Sequence, residues 1–190
     1  EAGVKLISLR ENSSTQVAEA LKWVIANKTK YNIVAVNFTD FAGWSKASGI
    51  SIKASLNTLE SMNVYASAPS GNSGSKGGVS AYAGEAVVGS VNKSDGISGF
   101  TNRGPGLDFL APAEKITLPY YDVGSKKAIY VDVADGTSWA APQIAGAAAL
   151  LRQINPNFTN GQITSILTQS ASQRYDSSTS RSYARLNLYG

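Results

Sequence analysis

Gly136-Thr137-Ser138-Trp139-Ala140-Ala141-Pro142, continued by Gln143-Ile144-Ala145-Gly146-Ala147-Ala148-Ala149-Leu150-Leu151, sets a serine at the mouth of a helix built almost wholly from small and aliphatic residues. A helix N-terminus presents unpaired N–H groups and a partial positive charge, so an oxygen that gains negative charge is favoured there. The small side chains let the same helix run through a packed interior, which fixes its position closely. Taken alone, Ser138 could be no more than the N-cap of a buried helix, a common use of serine in that place.

Upstream of this helix, strand and helix patterns alternate. Val4 to Leu9 is a short apolar strand candidate, and Ser13-Ser14-Thr15-Gln16 supplies N-capping chemistry. Val17, Leu21, Val24 and Ile25 then make one helical face. Ile33 to Asn37 is β-branched and continuous, as in a strand buried on both faces. A helix is predicted from Gly49 to Ser61, with Ile50, Ala54, Leu56 and Leu59 among its apolar positions, and a strand from Val64 to Ala68. Residues 71 to 83 are rich in glycine and serine and read as loop; Ala86 to Val91 and Ile129 to Val133 return as strands. Two helices, Thr137 to Gln153 and Asn160 to Gln169, are joined by a turn at Asn155-Pro156, and the polar tail from Gln173 to Ser182 reads as mobile in part. The alternation predicts an α/β fold, a parallel sheet with right-handed crossovers and helices on both faces.

A length of 190 residues suits one domain over 1–190. With no cysteine and no histidine, disulfides, a cysteine nucleophile and ordinary zinc sites are all excluded. The net charge of +4 is dispersed, as at Lys28-Thr29-Lys30 and Lys126-Lys127, with no basic run interleaved with aromatics. Nucleic-acid binding is therefore a poor reading. No apolar run reaches membrane-spanning length, and no signal-peptide pattern opens the chain.

Gly-Thr-Ser-x-Ala-x-Pro followed by a small-residue helix resembles the nucleophile helix of the subtilisin-like serine proteases. Other segments resemble that family in the same order. Gly71-Asn72-Ser73-Gly74, after Asn63 to Ala68, is similar to its oxyanion-hole strand and loop. Ile97-Ser98-Gly99-Phe100-Thr101-Asn102-Arg103-Gly104-Pro105 with Asp108-Phe109-Leu110-Ala111-Pro112 resembles its Ser-Phe-Ser-Asn-x-Gly-Pro … Asp-x-x-Ala-Pro segment. Ala20 to Asn27 and Ala35 to Thr39 resemble a family helix and the strand after it. The resemblance implies a three-layer subtilisin-like fold, a serine endopeptidase acting on peptide or protein substrates, and a secreted, extracellular, bacterial setting.

For the site, it implies Ser138 as nucleophile and Asn72 as oxyanion donor, with Asn37, Thr39 and Gly71 lining the substrate cleft. In subtilisin, from which the magnitude comes, losing the oxyanion asparagine costs about 10²–10³ in turnover. Asn72 between two glycines would also make an ordinary turn. Asp108 resembles a position that joins a cation site in some members, so calcium is allowed by the resemblance, although a single carboxylate is a thin ligand set and no metal residue is assigned. Four features depart from the family pattern. Asp40-Phe41 stands where Leu-Gly is usual, Trp139 follows the nucleophile, Gln143 replaces a common histidine, and Pro69 stiffens the approach to the oxyanion loop.

Without histidine the chain holds no Ser-His-Asp triad. The family's aspartate and histidine lie upstream of the segment that Val4 to Leu9 resembles, so the chain reads as the C-terminal portion of the peptidase domain, inactive by itself. Truncation, one piece of a split enzyme and a degenerate relative all remain open, as does a non-catalytic module that binds peptides or serves a structural role. Sedolisin-type carboxyl proteases also use a Gly-Thr-Ser serine, but Asn72 and the Phe100 to Pro112 segment fit the subtilisin pattern better. If upstream elements are absent, uncovered apolar faces should drive dimerisation, aggregation or capture of an N-terminal fragment.

Overall fold

Ser13 is extended, and its hydroxyl accepts a hydrogen bond from the Gln16 N–H at 3.3 Å, which starts α1 (Ser14–Tyr31) in the computed structural model. The structure describes residues 3–10, 12–39, 46–79, 85–132 and 135–189. Asn32 ends α1 in the left-handed region at φ 50°. The expected inward face is present: Val17, Ala18, Leu21 and Val24 are buried, with Ile25 packed at the margin. In α2 (Lys46–Ser61) the phase differs from the sequence reading. Ile52, Ser55, Leu56 and Leu59 are buried, whereas Ile50 and Ala54 are exposed. A stripe through 52, 55–56 and 59 has helical period, and positions 50 and 54 fall off it. Burying side chains such as Ile52, Leu56 and Leu59 stabilises the fold by about 1.5–3 kcal/mol each.

Four consecutive strands run parallel in sequence order: β1 (Ala35–Asn37), β2 (Tyr65–Pro69), β3 (Glu85–Val91) and β4 (Phe109–Pro112). The side-chain alternation of each strand divides two cores. From β2 and its approach, Val64, Ala66 and Ala68 pack with α1 and α2. Tyr65, Ala86, Val88, Phe109 and Ala111 instead meet Ala140, Ala141, Ile144, Ala147 and Ala148 of α3 (Ala141–Ile154) and its approach, with Ile163 and Leu167 of α4 (Asn160–Ser170). Helices therefore cover both faces, and the three-layer α/β expectation holds. On the α1–α2 side of the sheet, further along, Val87, Val91 and Leu110 form a third cluster with Leu107 and Tyr183.

Three expectations are corrected. Val4 to Leu9 forms no ladder among the described residues: an extended segment is a strand only where a neighbouring backbone takes its polar groups, and here only Leu9 packs on the core while Leu6 is 93% exposed. The tail is not loose. It forms the hairpin β7 (Ser172–Asp176) and β8 (Arg181–Arg185), with β8 parallel to β4 and β7 at the sheet's far edge. Residues 127–132 belong not to the main sheet but to β6 (Lys127–Asp132), paired antiparallel with β5 (Thr117–Asp122) as a separate ribbon; Val133 lies outside the described residues.

Ion pairs to distant loops explain the ordered tail. Asp95 accepts from Arg174 at 2.6 Å and Arg185 at 2.9 Å, and the Arg174 hydrogen bond leads in holding its carboxyl below the usual range. Arg103 Nε stands 2.8 Å from Asp176 Oδ2, a close charge contact rather than an aligned hydrogen bond. Asp176 also accepts from Ser178 N–H at 3.0 Å, the Ser178 hydroxyl at 2.7 Å and the Thr179 hydroxyl at 3.0 Å. Burial would raise this carboxyl; the Ser178 and Thr179 bonds and the Arg103 charge outweigh it, and its pKa is lowered.

Because Asp176 titrates below its unfolded value, its stabilisation is complete above the ordinary carboxylate range and is lost as pH falls through the lowered folded value. Asp176→Asn should cost about 2–3 kcal/mol at neutral pH, less than the ~3–5 kcal/mol of breaking a deeply buried pair. The difference from the parent should shrink toward acid pH, and urea titrations at neutral and acid pH measure both.

Candidate active site

Parallel strands send their carboxyl ends to one edge, where open α/β sheets bind ligands. β1 ends there at Asn37 and β2 at Pro69, and the head of α3 lies beneath. The helix expected from Thr137 does not begin as an α-helix. Thr137–Trp139 is a single 3₁₀ turn, Ala140 links it, and α3 starts at Ala141. Pro142 accounts for the break, since it has no N–H to donate and belongs in a first helical turn. Ser138 sits half-buried in the middle of that tight turn. Among the described residues neither its hydroxyl nor its N–H has a hydrogen-bond partner.

The neighbouring Thr137 is fully buried, and it organises the site. Its N–H donates to Asn72 Oδ1 at 2.9 Å, and its hydroxyl donates to the same oxygen at 2.8 Å. A backbone N–H can only donate, so the Asn72 oxygen must face Thr137 and the amide NH₂ must face away. That NH₂ lies beside Gly136, where a Cβ would stand 3.7 Å from Asn72 Nδ2. The Thr137 hydroxyl also accepts from Gly71 N–H at 3.2 Å. Gly71 has φ +96°, a conformation that requires glycine, and an added Cβ would sit 2.5 Å from Asn102 Nδ2. Two donors without a partner among the described residues, the Asn72 amide and the Ser138 N–H, thus belong to adjoining segments locked together by one threonine.

Asn37 joins the same edge indirectly. Its side-chain oxygen accepts from the Ser67 hydroxyl at 3.3 Å, and that hydroxyl is 3.0 Å from the Ala141 carbonyl at the start of α3. Thr39 is exposed and shares no described contact with the others; Asp40 and Phe41 lie outside the described residues. Gln143, a departure in the sequence, has a structural use. Its amide donates to Pro112 O at 2.6 Å and Trp139 O at 2.8 Å, tying the serine turn to the end of β4. Trp139 packs partly buried against the core, and Pro69 is buried at the end of β2.

Asp108 belongs elsewhere. It lines a cavity of about 300 Å³ with Glu60, Tyr65, Glu85, Asn160 and Thr164, at the opposite edge where β2, β3 and β4 begin. Its Oδ2 accepts from Val87 N–H at 2.8 Å, and surrounding protein atoms raise its carboxyl against that bond. Among the described residues no three acidic, histidine or cysteine side chains are grouped to hold a metal ion, and Asp108 is assigned no metal role. Asp122 is spent on its own turn, accepting from Gly124 and Ser125 N–H groups.

Sequence reasoning reached Ser138, Asn72 and Gly71 through their motifs but gave Thr137 no role of its own. Its one available signal was a hydroxyl placed between the glycine and the serine.

The chain matches the subtilase family model over residues 2–187. It is 31% identical over 181 residues to Subtilisin Savinase of Lederbergia lenta, covering 94% of this chain and 59% of that protein. It is also 31% identical over 163 residues to Subtilisin E of Bacillus subtilis, covering 82% of this chain and 39% of the relative. A solved cold-adapted subtilisin-like serine proteinase superposes with a TM-score of 0.70 at 25% identity, over 94% of this chain and 63% of that one. The chain thus spans at most 59% of the length of these curated relatives. On motif, architecture and the joined Ser138 and Asn72 segments alike, the chain belongs to the subtilase family.

Proposed function

We propose that this chain is the nucleophile-bearing, C-terminal portion of a serine endopeptidase domain, and that its general base comes from outside these 190 residues. The observation that carries the reading is the docking of Asn72 on Thr137, which leaves the Asn72 amide and the Ser138 N–H together without a partner among the described residues. The Ser138 hydroxyl attacks the scissile carbonyl carbon while a histidine supplied from elsewhere takes its proton. Charge gathers on the carbonyl oxygen, where Asn72 Nδ2–H and Ser138 N–H donate to it. The amine departs with the proton returned by the base, and water hydrolyses the acyl-enzyme. Asn37, Thr39 and Gly71 border the substrate chain.

An uncovered surface supports a separate or upstream piece. Pro142, Gly146, Leu150 and Ile154 are exposed at four-residue steps along α3, whose Ala141, Ile144, Ala145, Ala147, Ala148 and Ala149 are buried. Ile154 is 77% exposed, and a Cβ at Gly146 would meet nothing within 4 Å. The stripe runs up to the turn that holds Ser138, so a segment seated on it would reach the serine. An apolar face of this kind is costly in water and favours a partner. An extracellular setting rests on the likeness to the subtilisin relatives; among the described residues no helix is long and apolar enough to cross a membrane.

In the complete assembly Ser138→Ala should abolish peptide hydrolysis and fluorophosphonate labelling, while Asn72→Ala should lower kcat by about 10²–10³, the magnitude known from subtilisin. The 190-residue chain alone should not label. Turnover that survives Ser138→Ala would sink the protease reading, and specific peptide binding without turnover would favour a non-catalytic module, the reading that the missing histidine motivates.

Gly146→Ala separates the chain from its complement. In the chain alone it should raise stability by roughly 0.5–1 kcal/mol through helix propensity. If a partner closes on the stripe, the added methyl should weaken capture of the upstream piece, which titration of the two pieces by calorimetry measures.

A further inference from the structure

Asn72 is held from two sides, and Thr137 is only one of them. Its own loop, Gly71 to Ser75, belongs to no helix or strand and takes its shape from the segment Gly99 to Arg103. Asn102 is the hub of that contact. Its side-chain oxygen accepts from Ser73 N–H at 3.0 Å, the Ser73 hydroxyl at 2.7 Å and Ser75 N–H at 3.0 Å. Its own N–H donates to Gly71 O at 3.0 Å. On either side, Gly74 N–H donates to Phe100 O at 2.7 Å and Arg103 N–H to Ser75 O at 2.8 Å. Gly71 and Gly74 let the backbones lie flat: a Cβ on Gly74 would stand 2.8 Å from Gly99 O, and its φ is +69°.

The hub is itself anchored. Thr101, fully buried, accepts from Ser90 N–H at 2.9 Å and donates to Ser90 O at 3.1 Å, fastening the segment to β3. Gly89 makes room for it, since a Cβ there would lie 2.6 Å from Thr101 Cγ2. On the other side Arg103 pairs with Asp176 of the terminal hairpin. A rigid strand and a charge pair thus support one asparagine oxygen, and that oxygen supports the loop.

We propose that Asn102 is a positioning residue for the reaction: through its side-chain oxygen it fixes the Gly71–Ser75 loop, and so aims the Asn72 amide at the developing oxyanion. This rests on the reading of Asn72 as the oxyanion donor. The physical case is one of position more than stability. Ser73 and Ser75 are exposed, so donors released from Asn102 can turn to water at modest cost. What is lost is the single loop conformation, and a misplacement of about 1 Å can cost on the order of 10²-fold in rate.

The test compares Asn102→Leu, Asn102→Asp and Asn72→Ala in the assembly that hydrolyses peptides. Asn102→Leu should lower kcat roughly 10- to 100-fold with KM little changed. Asn102→Asp, which keeps the acceptor oxygen, should retain most of the activity. The Asn72→Ala/Asn102→Leu double variant should be no slower than Asn72→Ala alone, because the second residue acts through the first. An unchanged kcat in Asn102→Leu, or a further multiplicative loss on top of Asn72→Ala, overturns the proposal. A kcat unchanged by Asn72→Ala would instead overturn the oxyanion reading. Hydrogen exchange at the Ser73 and Ser75 amides in the 190-residue chain then judges the clamp alone. Faster exchange in Asn102→Leu but not in Asn102→Asp supports it, and equal rates overturn it. Should the leucine variant fail to fold, Ser73→Ala removes one of the three bonds and should give a smaller loss of kcat in the same direction.

Discussion

Thr137 spends both of its donors on a single oxygen, that of Asn72, and its hydroxyl still accepts from Gly71. Among the described residues no other hydrogen bond joins the serine turn to the loop after β2. Because the residue is fully buried, these bonds compete with no water and their directions are fixed. The amide of Asn72 faces outward only because its oxygen is already taken. The geometry at this edge follows from one buried hydroxyl.

That junction is firm because both of its halves stand on packed elements. The serine turn leads into α3, whose alanines lie against Tyr65, Val88 and Phe109 of the sheet. Small side chains bring helix and sheet backbones close, so a shift of the helix would cost contacts along its whole length. Gln143 adds a polar tie from the same helix to the end of β4. The loop half has no such packing of its own, and hydrogen bonds to Asn102 and its neighbours take its place. The chain thus fixes one donor by apolar packing and the other by a polar network.

Electrostatics act mainly at a distance from the serine. Asp95 and Asp176 bind the terminal hairpin to the loops at 92–97 and 97–105, and their partners lie far along the chain. The hairpin completes the sheet beyond β4 and backs the segment that carries Asn102. At the other extreme, the outer edge of β1 and the exposed stripe of α3 have no described cover.

Much of this was legible from residues alone. The cap and inner face of α1, the parallel order of the central strands, and Ser138 with Asn72 rest on patterns confined to a few neighbouring positions. Short-range periodicity and capping are local physics, so the sequence displays them directly. The failures share an opposite character. Val4 to Leu9 has a strand's composition but no ladder, and a ladder needs a second backbone. The tail from Gln173 to Ser182 reads as mobile in part because it is polar, and only the fold brings Asp95 and Arg103 against Arg174, Arg185 and Asp176. Likewise the roles of Thr137 and Asn102 depend on partners 65 and 29 positions away, at Asn72 and Ser73. The sequence by itself determined the family's motif residues, Ser138 and Asn72 among them, and the architecture that holds them. Only the tertiary structure decided which way those groups point, because direction is set by hydrogen bonds between segments that no periodicity relates.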